Sequence, residues 1–224
     1  MISTKDIPGG GKVTPKTLQP GNVNIKVNKI YLEKFPFGEN AYHVMLDCEG
    51  PALGGDFEGF FIDKDNESLG RHAGQVGRIK ANQWAYQDKV LNADISIDRD
   101  VEITRFLKNL AIATDCLEWY EAQDSKHETI ESLVEKMNED APFKDKFISA
   151  CIAGKEYENK SGYTNYDLFF PKFSKTGVPF ENAAKESTGR VFKFNESDHI
   201  IRKKVKEVDQ FEPANNIEGD DFEV

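Results

Sequence analysis

The sequence predicts a mainly β fold of the α+β class with a helical insertion, on three observations. Apolar residues alternate with period two from residue 23 into the forties. The spacing becomes helical between about 99 and 140, and period two returns from 147 to 170. That order describes three or more strands, two helices and a closing hairpin. The chain has 224 residues, 38% hydrophobic and 30% charged, with a mean hydropathy of -0.59. That is enough for one generous domain with tails. The expected division is an N-terminal arm at 1–21, one domain at 22–200, and a basic step with an acidic tail at 201–224.

Residues 1–21 are rich in Gly, Pro, Lys and Thr and read as a flexible arm. Val23, Ile25 and Val27 alternate with Asn24, Lys26 and Asn28 in a first strand. The alternation slips at Lys29-Ile30 and resumes at Leu32, which predicts a bulge in a long, bent strand. A loop over 35–40 leads to a second strand with Tyr42, Val44 and Leu46. A third is expected at 57–62, after the glycine-rich turn at Gly54-Gly55. A basic, glycine-spaced segment at 70–78 leads into an extended stretch at 79–86, and a further strand is expected at 90–97.

Ile103, Phe106, Leu107, Leu110, Ala111, Thr114 and Leu117 then follow helical spacing from about 100 to 121. Ser125-Lys126-His127-Glu128 has the capping-box pattern before a second helix carrying Ile130, Leu133, Val134 and Met137, and Pro142 ends it. In the hairpin, Ile148, Ala150 and Ile152 alternate with Ser149 and Cys151. Asn159-Lys160-Ser161-Gly162 forms the turn, and Tyr166, Leu168 and Phe170 alternate beyond it. One hairpin face can be buried, while the other carries Lys155, Tyr157, Lys160, Tyr163 and Lys172. Residues 174–190 read as a loop and 191–194 as a short strand.

Interleaved rings and cations are what a single-stranded nucleic acid requires, rings for base stacking and cations for phosphates. The order of elements fits a five-stranded Greek-key barrel of the oligonucleotide-binding (OB) type, with two helices between its third and fourth strands. An α+β sandwich is the alternative. In the OB barrel the loops joining strands 1–2 and 4–5 flank the binding face; here these are 35–40 and 159–162. Candidate strand-binding residues are Lys34, Phe35, Phe37, Arg71, Arg78, Lys80, Trp84, Tyr86, Lys155, Tyr157, Tyr163 and Lys172. Tyr31 and Tyr166 belong to the same set by type but are expected to fall in the core, and His72 reads as a turn residue.

Three stretches, VNIKVNKIYLEKFPFGENAYHVMLD, GKEYENKSGYTNYDLFFPKF and EGDDFEV, touch about half of the chain and resemble bacteriophage single-stranded DNA-binding proteins. The resemblance implies an OB barrel that protects single strands during replication or recombination. It also implies an acidic tail whose aromatic residue recruits replication or recombination proteins. Asp220, Asp221, Phe222 and Glu223 would carry that role. In the family the aromatic or apolar residue lies at the very end, whereas Glu223-Val224 follow Phe222 here. No catalytic constellation and no cofactor are expected, and the sequence leaves a homodimer open.

The net charge of -10 opposes nucleic-acid binding at first sight. Residues 208–224 hold six carboxylates and no Lys or Arg, so removing them from -10 leaves -4 for the remainder. A tethered polyanion can also compete with phosphates for a cationic groove. Cys48, Cys116 and Cys151 are far apart and odd in number, which predicts reduced thiols. With no apolar export core near the start, the expected compartment is the cytoplasm. No run of 18 apolar residues occurs.

Other chemistries fit less well. Gly9-Gly10-Gly11-Lys12 lacks both the leading Gly and the Ser/Thr of a phosphate loop. Asp63-Lys64-Asp65-Asn66-Glu67 begins like a calcium loop but has Ser68 at the turn Gly and Gly74 at the bidentate Glu. Asp47, Glu49, Asp56, Glu58 and Asp63 could serve a two-metal nuclease, but strand spacing splits them between faces. His43, His72, His127 and His199 form no motif. The alternatives are therefore a protein-interaction or structural module, and, third, the metal-dependent nuclease.

Overall fold

Strand β1 (Gly21–Lys34), with Val23, Ile25, Val27 and Ile30 turned inward and buried, has 14 residues and serves two neighbours. The computed structural model describes residues 17–38, 40–52, 56, 74–92 and 95–202. The first half of β1 pairs antiparallel with β6 (Phe147–Glu158), and the second half pairs antiparallel with β2 (Tyr42–Glu49). β2 pairs antiparallel with β3 (Val76–Lys80), which lies parallel to β7 (Thr164–Phe169). β7 returns antiparallel to β6 and closes a five-stranded barrel.

The pairing register of β1 shifts between Val27 and Lys29, where the sequence pattern predicts a bulge. The side chain of Asn138 binds the backbone there. Its Oδ1 accepts from the Ile30 N–H at 2.9 Å, and its Nδ2 donates to the Ile30 carbonyl at 2.5 Å. Asn138 belongs to the helix α3 (Ile130–Asp140), so one amide ties helix to strand.

Before α3 come a two-stranded ribbon, β4 (Lys89–Asn92) with β5 (Ile95–Ile97), and the helices α1 (Arg99–Ala113) and α2 (Leu117–Glu121). Ile103, Phe106, Leu107 and Leu110 bury the inner face of α1. Phe106 meets Phe170 and Phe180 at ring-centroid distances of 6.3 and 5.9 Å. After the barrel come β8 (Phe180–Asn182) and β9 (Ile200–Ile201), both paired to β6, with the single-turn α4 (Glu196–His199) between them.

Several expectations need correction. The arm ends earlier than residue 21. Leu18 is 1% exposed within the core, and its N–H donates to the Val76 carbonyl at 2.9 Å. Room for this segment comes from two glycines. A Cβ on Gly77 would stand 2.6 Å from the Leu18 Cβ, and one on Gly154 would stand 2.7 Å from Pro20. The extended stretch expected at 79–86 stops as a strand at Lys80, and Tyr86 bridges back to Tyr42. The strand expected at 90–97 is two short strands. The strand expected at 57–62 and the basic residues 70–73 lie outside the described residues.

The helix expected to reach 121 breaks at Thr114, whose hydroxyl turns back to the Leu110 carbonyl at 2.8 Å, and Asp115 follows at φ 54. The capping box at 125–128 does not start α3. Ser125 sits at φ 57, and the cap is Thr129, which accepts from the Ser132 N–H. Within β6, residues 148–154 are buried on both faces, and β1, β7, β8 and β9 pair along its edges. The loop at 174–190 contains β8. The short strand expected at 191–194 is a single bridge from Val191 to Val178. Among the described residues no helix is long and apolar enough to cross a membrane.

Candidate functional site

Strand parity decides which side chains face outward from the barrel. On β1 these are Lys29, Tyr31 and Glu33, and on β2 His43, Met45, Asp47 and Glu49, the alternates of the core residues Val44, Leu46 and Cys48. Val76, Arg78 and Lys80 alternate with the core residue Ile79 on β3, and Asp167 precedes Leu168 on β7. Lys155 and Tyr157 lie beyond the doubly buried part of β6. Register then places these rows side by side: Tyr31 opposite Met45, Asp47 opposite Arg78, Lys155 opposite Asp167 and Tyr157 opposite Asn165.

β3 and β7 pair through Ile79–Leu168 and Lys80–Phe169. Beside this pairing a groove of about 600 Å³ is lined by Thr17, Met45, Arg78, Lys155, Tyr157, Tyr166 and Asp167. Three of the candidates, Arg78, Lys155 and Tyr157, meet here. Tyr166, expected in the core, instead lines the groove while packing against the core from one side. Tyr31 is likewise on the outer face and not in the interior. The Arg78 guanidinium stands 5.4 Å from its ring centroid, and its hydroxyl donates to Asp47 Oδ1 at 3.4 Å. Burial, then the Asp47 charge, raises the Tyr31 pKa, so the phenol stays protonated.

A second, smaller cavity of about 260 Å³ gathers Trp84, Tyr86, Lys172 and Phe169 with the amides of Gln83 and Gln87. Trp84 is 68% exposed and free to stack. Tyr86 departs from expectation: it packs against the core, and burial pushes its phenol well above the ordinary value. Phe37, in the loop joining β1 and β2, is 87% exposed. Phe35 is half-buried, edge-on to both Phe37 and His43 at 5.6 and 5.4 Å between ring centroids. Lys34 is exposed beside them.

Tyr163 stands 71% exposed at the β6–β7 turn. The turn is held by Asn159 Oδ1, which accepts from the Ser161 and Tyr163 N–H groups at 2.9 and 3.0 Å, and by Gly162 at φ 79. Antiparallel β1–β2–β3 and parallel β3–β7 put this turn and the 35–38 loop at opposite ends of the β3–β7 seam. The candidates thus divide into two ends and a middle and do not form one cluster. The ends are separated by the length of β7, six residues of strand.

Lys80 does not stand free. Its Nζ contacts Asp167 Oδ2 at 2.5 Å, with its side chain 20% exposed. Arg78 lies 3.6 Å from Asp47, and Arg202 lies 3.9 Å from Glu156 and 2.8 Å from Glu196. Lys155 makes no ion pair among the described residues. Sequence reasoning missed these carboxylates as part of the site, although the alternation already puts Asp167 on the face of Lys155. For a nuclease, Asp47 and Glu49 are spoken for, Asp47 by Arg78 and Glu49 by Lys26 at 2.7 Å. Arg71, Asp220, Asp221, Phe222 and Glu223 lie outside the described residues. Compared with known proteins, the chain matches no family model, no curated protein and no solved structure.

Proposed function

We propose that this chain is a non-catalytic single-stranded DNA-binding protein whose strand lies along the β3–β7 seam. The observation that carries the reading is the groove lined by Arg78, Lys155, Tyr157 and Tyr166, with Trp84, Phe37 and Lys172 at one end of the seam and Tyr163 at the other. Exposed aromatic side chains cost solvation unless something covers them. Each base stacked on such a ring contributes roughly 1–3 kcal/mol without regard to sequence. The interpretation as an OB barrel is supported by the strand order β1-β2-β3-β7-β6 closing on β1, and by the three helices that precede β6. In such barrels the face of the second and third strands receives the oligonucleotide, and here that face carries Met45, Arg78 and Lys80.

The acidic segment 208–224 fits the same reading. Its six carboxylates compete with phosphates for the groove and become available to replication or recombination proteins once a strand is bound. Fluorescence anisotropy with labelled oligo-dT and with duplex DNA, across a salt series, tests both parts. The expected result is tighter binding to oligo-dT, weakened by salt, and strengthened when the chain is ended at Glu207. Absence of oligo-dT binding by both proteins at micromolar concentration overturns the proposal.

A further inference from the structure

We infer that Asp47 and Asp167 set the groove's preference for unpaired strands, by occupying the cations that a phosphate would otherwise meet. The inference rests on the strand-binding reading and concerns the specificity of that site. Arg78 and Lys155 line the groove, and Lys80 meets its wall at Asp167, which holds it at 2.5 Å; Arg78 faces Asp47 at 3.6 Å. Glu156, also on the groove wall, engages Arg202 at 3.9 Å. Lys155 is left as the uncompensated groove cation among the described residues.

A phosphate approaching Lys80 must displace a carboxylate of the same charge. The exchange swaps one ion pair for another and releases few counterions, so it adds little affinity and little salt dependence. Stacking on Tyr157, Tyr166 and Trp84 is not offset in this way. Duplex DNA presents a denser phosphate array but keeps its bases inside, so it depends on the cations that the carboxylates have already neutralised. A strand with free bases draws on the rings. The two aspartates thus lower affinity for every polyanion while leaving the ring contribution intact, which widens the gap between single strands and duplex.

The test uses the full chain with Asp167→Asn, Asp47→Asn and the double variant, titrated with fluorescent oligo-dT and a duplex of equal length across salt. Both aspartates are partly exposed, and thermal melting checks that the variants remain folded. Each released cation is expected to steepen the slope of log K against log salt for oligo-dT by about 0.7, and to tighten binding about three- to tenfold. Duplex affinity is expected to rise by the larger factor, narrowing the discrimination. In a Lys80→Met background, where Asp167 no longer masks that lysine, Asp167→Asn is expected to steepen the salt slope less than it does beside Lys80. Glu135→Gln, a charge change of equal size on the exposed side of α3, is expected to change nothing. Unchanged slopes and unchanged discrimination in the aspartate variants, with the wild-type protein binding oligo-dT normally, overturn this inference alone. A gain equal to that of Glu135→Gln also overturns it, since the effect is then only net charge. A wild-type protein that does not bind oligo-dT overturns both this inference and the function it rests on.

Discussion

Leu18→Ala tests whether the short segment before β1 is part of the barrel or an appendage. The leucine is 1% exposed, its Cβ faces the backbone of Gly77, and its Cδ2 packs into the same space, with Leu168 adjacent. Deleting three buried carbons removes their transfer free energy and leaves a cavity that β3 and β7 can close only by shifting the groove wall. Buried Leu→Ala substitutions cost about 2–5 kcal/mol. Taking about 3 kcal/mol, the melting temperature of a domain this size falls by roughly 6–12 °C. Thr17 lies on the groove, so oligo-dT affinity is expected to fall as well. Urea unfolding followed by circular dichroism, with the slope compared between variants, gives the free energy. A loss below about 1 kcal/mol, the range of an exposed leucine, refutes the claim that residues 17–20 are built into the barrel.

Other consequences can be measured separately. Thr129 caps α3 by accepting from the Ser132 N–H. Losing such a cap costs about 0.5–2 kcal/mol, the expected effect of Thr129→Ala in urea unfolding, whereas Ser125→Ala is expected to be near neutral. Cys48 and Cys151 are buried, and burial pushes the Cys151 thiol up to about 12 and Cys48 higher still. Their thiolates are therefore suppressed at neutral pH, and a thiol-directed disulfide reagent is expected to label these two cysteines only after denaturant is added. His43 lies under Phe35 with Nδ1 buried and without a partner among the described residues. Burial, then the Lys80 charge, depresses its pKa below 6.5, against the opposing Asp167 and Glu33 charges. A depressed histidine pKa means the unfolded chain takes up the proton first, so stability is lost as pH falls through about 6.5. His43→Gln is expected to flatten that loss in urea titrations; an identical pH dependence counts against it.

What could be read from the sequence follows from period. The slip at Lys29-Ile30 betrayed the β1 bulge because inward alternation is forced wherever one face is buried, and Gly162 betrayed the hairpin turn because of the φ it must adopt. The α1 stripe from Ile103 to Ala111 was legible for the same reason. Period could not show where α1 ends, since Thr114 and Cys116 continue an apolar pattern while the Thr114 hydroxyl competes for the Leu110 carbonyl. The Ser125–Glu128 spacing satisfied the capping pattern, yet Ser125 stands at φ 57 and it is the Thr129 side chain that accepts from the Ser132 N–H. β8 and β9, of three and two residues, are too short to carry a pattern and exist through their pairing with β6.

At the site, residue type singled out Arg78, Lys155 and Tyr157, and the fold brings these three together. Alternation places the two on β6 on one face, and pairing brings Arg78 alongside. Residue type could not distinguish Tyr166, half in the groove, from Tyr86, half in the core. That difference depends on how each ring meets the wall behind it. Nor could it show Lys80 held by Asp167, a contact between residues 87 positions apart in the chain.

The strand path itself can be tested most directly by photocrosslinking an oligo-dT carrying iodouracil and mapping the linked peptides by mass spectrometry. The account expects adducts on Tyr157, Trp84 or Tyr163, lost when the corresponding ring is replaced by alanine. Adducts confined to the helices α1 to α3, with the β3–β7 seam unlabelled, would contradict it.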